Sequence, residues 1–330
     1  MFNKKNILIT GGTGSFGQKF TKLVLDNYNP SRLIIFSRDE MKQWEMAKSY
    51  ANDDRIRFFI GDVRDANRLR RAFDGVDYVV HAAATKIVPT AEYNPFECVK
   101  TNIDGARNVI DAAIDANVET VVALSTDKAS SPVNLYGATK LVSDKLFISG
   151  NAYTGKRKTK FSVVRYGNVM GSRGSVLPFF YGLKDAKELP ITDSRMTRFM
   201  LPLEEAVKLV WLAFETCVGG EIYIKKSPSM NITEIAQAIN PNAKMKLIGI
   251  RPGEKLHEQM IGFEDAPFTY DFGNYFKILP NIHGWADDPA RIKNGKKVTS
   301  GFVYSSNANE DWMSVADLSI WIQSNLGDLG

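Results

Sequence analysis

The sequence predicts an α/β fold: a doubly wound parallel sheet with a smaller C-terminal lobe. Three observations lead there. Six short runs rich in β-branched residues, at 6–10, 32–37, 56–60, 78–82, 120–125 and 161–164, alternate with amphipathic stretches. These runs are almost continuously apolar, as expected of parallel strands covered on both faces. A glycine cluster, Gly11-Gly12-Thr13-Gly14-Ser15-Phe16-Gly17, follows the first run at once and opens the first helical stretch.

In the first helix, 16–28, Phe16, Phe20, Leu23, Val24 and Leu25 form one stripe. The stretches 41–50, 67–73, 102–116 and 136–149 have similar periods. Strand–helix units of this size imply right-handed crossovers. Beyond residue 165 the pattern turns irregular, punctuated by Gly167, Gly171, Gly174, Pro178 and Pro190. One more helix, 202–217, and one more strand, 221–225, return to the sheet. Weaker helices at 232–239 and 314–326 flank a segment rich in Gly, Pro and aromatics. The expected division is a dinucleotide-binding domain over 1–169, rejoined by 201–226, and a substrate lobe made of 170–200 and 227–330.

Composition narrows the function classes. An apolar content of 44% and a charged content of 24% over 330 residues suit a globular protein. The apolar run 7–9 is far too short for a signal peptide or a span, and the tract 206–218 is broken by Lys208 and Glu215. A soluble, cytoplasmic protein with no membrane association is expected. Cys98 and Cys217 form no cluster with His81, His257 and His283, which fits a reducing compartment and no metal site. The net charge of +5 comes without a dense basic run, so no nucleic-acid partner is expected. It suits an anionic small substrate.

Gly11, Gly14 and Gly17 have the spacing of a dinucleotide loop. The first permits the tight turn, the second lets backbone approach a pyrophosphate, and the third lets helix and strand pack closely. The pyrophosphate then meets free N–H groups at a helix N-terminus, with Thr13, Ser15 and Phe16 beside it. About twenty residues on, where an NAD site supplies an acid, stand Ser37 and Arg38. A hydroxyl and a guanidinium suit a 2′-phosphate, so NADP is expected; Asp39 leaves NAD as the alternative. Glu40 and Lys42 complete that turn. Asp62 and Val63 are placed at the adenine, and Ala82 and Ala83 where the cofactor passes close to backbone.

Tyr136 and Lys140 share a helix face at i and i+4. A nearby cation and a positive nicotinamide would lower the phenol's pKa toward neutrality. Ser125-Thr126 stands about ten residues upstream, at the end of a predicted strand. That order resembles the extended, sugar-nucleotide branch of the short-chain dehydrogenase/reductase superfamily, a Rossmann fold. Asp127 and Lys128, directly after Thr126, add a carboxyl and an amine that simple 4-epimerases lack.

The segment Leu124-Ser125-Thr126-Asp127-Lys128-Ala129, with Pro132-Val133-Asn134-Leu135-Tyr136-Gly137-Ala138-Thr139-Lys140, resembles the UDP-N-acetylglucosamine 4,6-dehydratases, most of all the short, inverting, pseudaminic-acid type. The likeness continues through Gly61-Asp62-Val63-Arg64-Asp65, Val164-Arg165-Tyr166-Gly167-Asn168-Val169, Met196-Thr197-Arg198-Phe199 and Ile250-Arg251-Pro252-Gly253-Glu254-Lys255. It implies a lyase that oxidises C4, removes H5, expels the 6-hydroxyl and returns the hydride to C6. Tyr136 is then the base for C4 oxidation, Thr126 its partner, Lys128 the C5 base and Asp127 the acid. Lys86 is expected to touch cofactor and substrate, with Ser125 near the cofactor. Asn168 and the loop Ser172, Arg173, Gly174, Ser175 and Val176 are expected to line the sugar nucleotide, with Arg198, Arg251 and Tyr304 reaching it from the lobe.

The membrane-anchored retaining relatives carry Met where this chain has Tyr136. Thr85 and Ile87, however, replace the Leu and His common in inverting enzymes, which leaves retention at C5 as an alternative. A 4-epimerase or reductase is the further alternative. Helices 102–116 and 136–149 resemble those of the superfamily's dimer bundle, so a homo-oligomer is expected.

Overall fold

The computed structural model describes residues 1–325. Seven parallel strands form the centre of the main sheet: β1 (Asn6–Thr10), β2 (Arg32–Ser37), β3 (Ile56–Ile60), β4 (Tyr78–His81), β5 (Thr120–Thr126), β6 (Lys160–Tyr166) and β7 (Ile222–Lys225). Their spatial order is β3-β2-β1-β4-β5-β6-β7, the doubly wound arrangement. The order reverses between β1 and β4, and the crevice at that switch point is where such sheets bind ligands.

The apolar runs explain the layers. Ile7, Leu8 and Ile9 are fully buried because helices cover both faces. On one face α1 (Ser15–Asn27), α2 (Glu40–Lys48) and α6 (Leu203–Thr216) enclose a core that includes Phe20, Val24, Met46 and Val210. On the other, α3 (Ala66–Phe73), α4 (Gly105–Asp115) and α5 (Leu135–Gly150) enclose Leu69, Val109 and Phe147. Each such side chain contributes roughly 1.5–3 kcal/mol on leaving water. A third cluster, with Leu177, Phe180, Met200, Ile235 and Leu318, lies outside the sheet.

Three details differ from the sequence reading. Residues 269–297, expected in the lobe, supply three antiparallel strands, β8 (Thr269–Asp271), β9 (Tyr275–Ile278) and β10 (Lys296–Lys297), to the β7 edge of the main sheet. Their alternation was hidden by short length and by aromatics on both faces. Helical turns at Val88–Tyr93 and Pro95–Val99 were not anticipated; Pro89 and Pro95 occupy first-turn positions, where proline is tolerated. They lead through a π-helical turn, Lys100–Asp104, into α4. The last helix runs Val315–Ser324; Leu326, the expected end, lies outside the described residues. Among the described residues no helix is long and apolar enough to cross a membrane.

A buried ion pair ties β5, β6 and α5 together. Arg165 on β6 contacts Asp144 on α5 at 3.3 Å, both side chains 2% exposed. Ser125 at the end of β5 donates to the same carboxylate oxygen at 2.7 Å. Removing Asp144 leaves the buried Arg165 guanidinium with Asp265, at 3.4 Å, as its remaining carboxylate, and removing Arg165 leaves the Asp144 carboxyl without its guanidinium. Asp144→Ala is expected to cost about 3–5 kcal/mol in urea unfolding, and Asp144→Leu combined with Arg165→Met is expected to recover much of that loss. An unchanged midpoint in the single variant would refute the role given to the pair.

Candidate active site

One cleft of about 1170 Å³ runs along the C-terminal ends of the strands and collects most of the expected residues. Its first wall is the glycine loop. A side chain at Gly11 would lie 2.9 Å from the Ala83 backbone, and one at Gly17 would lie 2.2 Å from the Gly12 carbonyl oxygen. Those two glycines are required by the protein's own packing. Gly14 differs: a side chain there would meet only the Gly11 carbonyl, at 3.3 Å, because it faces the cleft. Gly14 is also the N-cap of α1, and no side chain caps that end. The α1 amides and macrodipole are thus left for an anion, and the loop fits a dinucleotide pyrophosphate.

Further along, Ser37 bonds Thr13 through their hydroxyls at 2.9 Å. Arg38 and Lys42 line the same end of the cleft. Asp39 accepts from the Lys42 amide at 3.0 Å, capping α2, and pairs with the Lys42 ammonium at 3.0 Å. Asp62 holds Arg64 at 2.7 Å and has Arg38 at 3.8 Å. Burial would raise the Asp62 pKa, but these guanidinium groups outweigh it and hold it low. Val63, Ala82 and Ala83 line the wall. Glu40 does not: it is exposed at the start of α2, outside the cleft.

At the floor, β5 ends in Thr126 and turns through Asp127–Ala129, with the Thr126 hydroxyl accepting from the Lys128 amide at 3.3 Å. The first turn of α5 sits directly on that turn. A side chain at Gly137 would lie 2.2 Å from the Lys128 carbonyl oxygen, so glycine beside Tyr136 lets the two halves of the site touch. Asp127, 1% exposed, accepts from Thr126 at 2.9 Å and from Lys128 at 3.1 Å through one oxygen, Oδ1. Its other oxygen is buried without a hydrogen-bond partner. The Lys128 ammonium reaches a second carboxylate, Glu258, also at 3.1 Å.

The charges adjust accordingly. Burial raises the Asp127 pKa, and Glu258 adds to the rise while Lys128 opposes it. For Lys128, burial favours the neutral amine, but the two carboxylates prevail and its pKa rises. Burial pushes the Tyr136 phenol up to about 12. The expected lowering is therefore not achieved by the protein alone, and the opposing cation is Lys128 rather than Lys140. Lys140 is buried on the next turn of α5, its pKa lowered by burial and partly restored by Asp144.

On the substrate side, Asn168 faces the cleft with its buried amide oxygen unpartnered. Ser172, Arg173, Gly174, Ser175 and Val176 all line it. The Arg173 backbone spans the opening: its amide donates to the Ser15 hydroxyl at 3.1 Å and its carbonyl accepts from Lys86 at 2.9 Å. Arg251 stands exposed at the mouth. Arg198 lines the cleft, but its guanidinium donates to the carbonyls of Thr197, Leu256 and Lys255. Tyr304 is not in the cleft. Its hydroxyl is bonded to the Ser227 backbone at 3.0 and 3.1 Å, and its ring packs on Phe199 and Phe276, because the strand carrying it faces the core.

Sequence reasoning missed Glu258, which lies three residues beyond the last motif it used. A buried carboxylate in a polar segment leaves no periodic signal. It also missed Asn102, placed by the π-helical turn so that its amide bonds Thr85 on one side and Thr139 on the other.

A Rossmann sheet with Thr126 at the end of β5 and Tyr136 and Lys140 on α5 defines an extended short-chain dehydrogenase/reductase. The family model described as polysaccharide biosynthesis protein matches residues 7–280. The chain is 58% identical to a UDP-N-acetylglucosamine 4,6-dehydratase (inverting) from Campylobacter jejuni, over 96% of this chain and 97% of that one. It is 46% identical to a UDP-glucose 4-epimerase of Rickettsia bellii, over 84% of each chain. Among solved structures, Pen from Bacillus thuringiensis superposes with a TM-score of 0.89 at 37% identity over 99% of both chains. The chain belongs to this polysaccharide biosynthesis family and groups within it with the UDP-N-acetylglucosamine 4,6-dehydratases.

The phenol's environment can be read by ultraviolet difference titration against Tyr136→Phe. In cofactor-free protein the Tyr136 phenolate is expected only above about pH 11, and a positively charged oxidised nicotinamide is expected to move the transition downward. A phenolate signal near neutrality without cofactor would contradict the desolvated site.

Proposed function

We propose that the enzyme converts UDP-N-acetylglucosamine to a UDP-4-keto-6-deoxy sugar with inversion at C5, at the entry to pseudaminic acid or a related deoxysugar. The observation that carries this reading is the buried Asp127–Lys128 contact beside Thr126 and Tyr136. Oxidation at C4 needs Tyr136 as base and Thr126 as hydrogen-bonding neighbour, and nothing more from the protein. An adjoining carboxyl and amine make sense only if protons also move at C5 and C6. The inverting assignment draws support from the Campylobacter relatives, which carry that word in their names.

A bound nicotinamide supplies reversible storage of a hydride drawn from the sugar. The chain's own groups handle the protons. Tyr136 takes the proton of the C4 hydroxyl. The resulting ketone acidifies H5, which Lys128 removes once its own proton has passed to Glu258, 3.1 Å away. Asp127 then gives a proton to the 6-oxygen as the C6–O bond breaks, and water leaves. Asn168 and the 172–176 loop hold the sugar nucleotide, with Lys86 and Arg251 at its diphosphate.

We assign NADP as the cofactor. Arg38 and Lys42 put two cations at the end of β2, while the acid that would bind ribose hydroxyls, Asp39, is committed to capping α2. A cytoplasmic location agrees with two free, buried cysteines. A homo-oligomer agrees with exposed Tyr93, Phe96 and Val142 beside and on α5.

The reading is tested by incubating the protein with UDP-N-acetylglucosamine in deuterated water and following the sugar by NMR. A 4-keto-6-deoxy product carrying deuterium at C5 is expected, with the inverted configuration, and Lys128→Ala is expected to abolish it while still binding NADP. A C4 epimer without deuterium at C5 would instead establish a 4-epimerase. Arg38→Ala should weaken NADP binding at least about tenfold, the scale of one charge-assisted hydrogen bond, and leave NAD binding nearly unchanged. Equal losses for both dinucleotides would remove the assignment.

A further inference from the structure

At the floor of the cleft two buried carboxylates, Asp127 and Glu258, meet one ammonium, that of Lys128. Glu258, 2% exposed, comes from the segment after the 251–255 turn and meets the same Lys128 ammonium as Asp127, also at 3.1 Å. One cation thus serves two carboxylates, and both keep one oxygen, Asp127 Oδ2 and Glu258 Oε2, buried with no hydrogen-bond partner. Two buried carboxylates sharing a single ammonium do not both ionise at low cost, and the proton settles on the one with less compensation.

The surroundings decide which one that is. Glu258 has a second cation, the Arg198 guanidinium, with Nε 3.8 Å from the oxygen that also meets Lys128. Its backbone amide is fixed on the Ser306 hydroxyl at 2.9 Å, so the side chain is held in place. Among the described residues no guanidinium pairs with Asp127. The ionisable groups facing it are Lys128, Glu258, Tyr136 and, more distantly, Lys255, whose ammonium is engaged by the Ser130 carbonyl. The two carboxyls respond in opposite directions, Asp127 upward and Glu258 downward despite its burial.

We propose that Glu258 is a positioning residue that keeps a proton on Asp127: by holding Lys128 and Arg198 as its own counter-ions, it leaves Asp127 the carboxyl that carries a hydrogen into the cleft. This rests on the reading of Asp127 as the acid that protonates the leaving 6-hydroxyl, and it supplies what that reading lacks. Burial already favours the protonated acid, the ammonium 3.1 Å away opposes it, and Glu258 adds to the burial effect. The proton sits on Oδ2, the oxygen without a partner, and is delivered as the C6–O bond breaks; Asp127 becomes a carboxylate and the leaving oxygen becomes water.

The test uses the whole protein and infrared difference spectroscopy, which reads carboxyl protonation without turnover. Wild type minus Asp127→Asn at neutral pH is expected to show a protonated-carboxyl band. In Glu258→Gln that band should titrate away at a pH lower by about one unit or more, the scale of a neighbouring like charge. The alkaline limb of the kcat profile for water loss should shift down by the same amount, with KM for the sugar nucleotide little changed, and Glu258→Asp should restore part of the shift. An absent band in wild type overturns the proposal even if Glu258→Gln does not fold. A band and pH limb unmoved in folded Glu258→Gln also overturn it and reduce Glu258 to a packing role. Full dehydratase turnover by Asp127→Asn would instead defeat the assignment of Asp127 as the acid.

Discussion

The ion pair between Arg165 and Asp144 fixes the distance on which the site depends. The proposed catalytic groups come from two consecutive elements: the end of β5 and the turn after it supply Thr126, Asp127 and Lys128, and α5 supplies Tyr136 and Lys140. Asp144 lies one helical turn beyond Lys140 and takes hydrogen bonds from Ser125 of β5 and Arg165 of β6. A charged clamp in the core is weak as a source of net stability but strong as a constraint, since slippage would leave a bare charge in the core. At the other end of α5, the missing side chain of Gly137 lets the helix settle on the Lys128 carbonyl. Helix and strand are thereby held at two points, one beside Tyr136 and one a turn beyond Lys140.

Within that frame the cleft is electrically graded. The dinucleotide end offers amides, hydroxyls and exposed cations. The floor offers a phenol and a carboxyl whose protons are retained by desolvation, beside a lysine whose charge is retained by two carboxylates. One enclosed space thus holds proton donors and a latent acceptor without mutual neutralisation. The common cause is burial, which penalises each charge unless a partner is built in.

Much of this was legible in the sequence. The strands β1 to β5 and the helices α1, α3 and α5 could be placed because their apolar periods are long and uninterrupted, and the catalytic groups lie at element ends that those periods locate. What escaped was written in tertiary contacts. Glu258 is brought to Lys128 by a segment without regular structure, 130 positions downstream in the chain. Tyr304 reads like a cleft residue, but a two-residue strand turns it inward. Arg198 lines the cleft, but its hydrogen bonds to the carbonyls of Thr197, Leu256 and Lys255 follow from backbone that folds around it and leaves no pattern in the sequence. The phenol's raised pKa was missed for a related reason: pattern shows that a cation is near, whereas desolvation depends on everything else that is near.

The Arg173 backbone, stitched to Ser15 on one side and to Lys86 on the other, has a consequence for how the enzyme would be handled. In a reaction whose redox steps cancel, the dinucleotide has no metabolic reason to leave between turnovers. A strap across the cleft mouth joins the glycine loop to Lys86, the lysine proposed at the diphosphate of the sugar nucleotide. A nicotinamide dinucleotide beneath it would then be held as a prosthetic group rather than exchanged as a co-substrate.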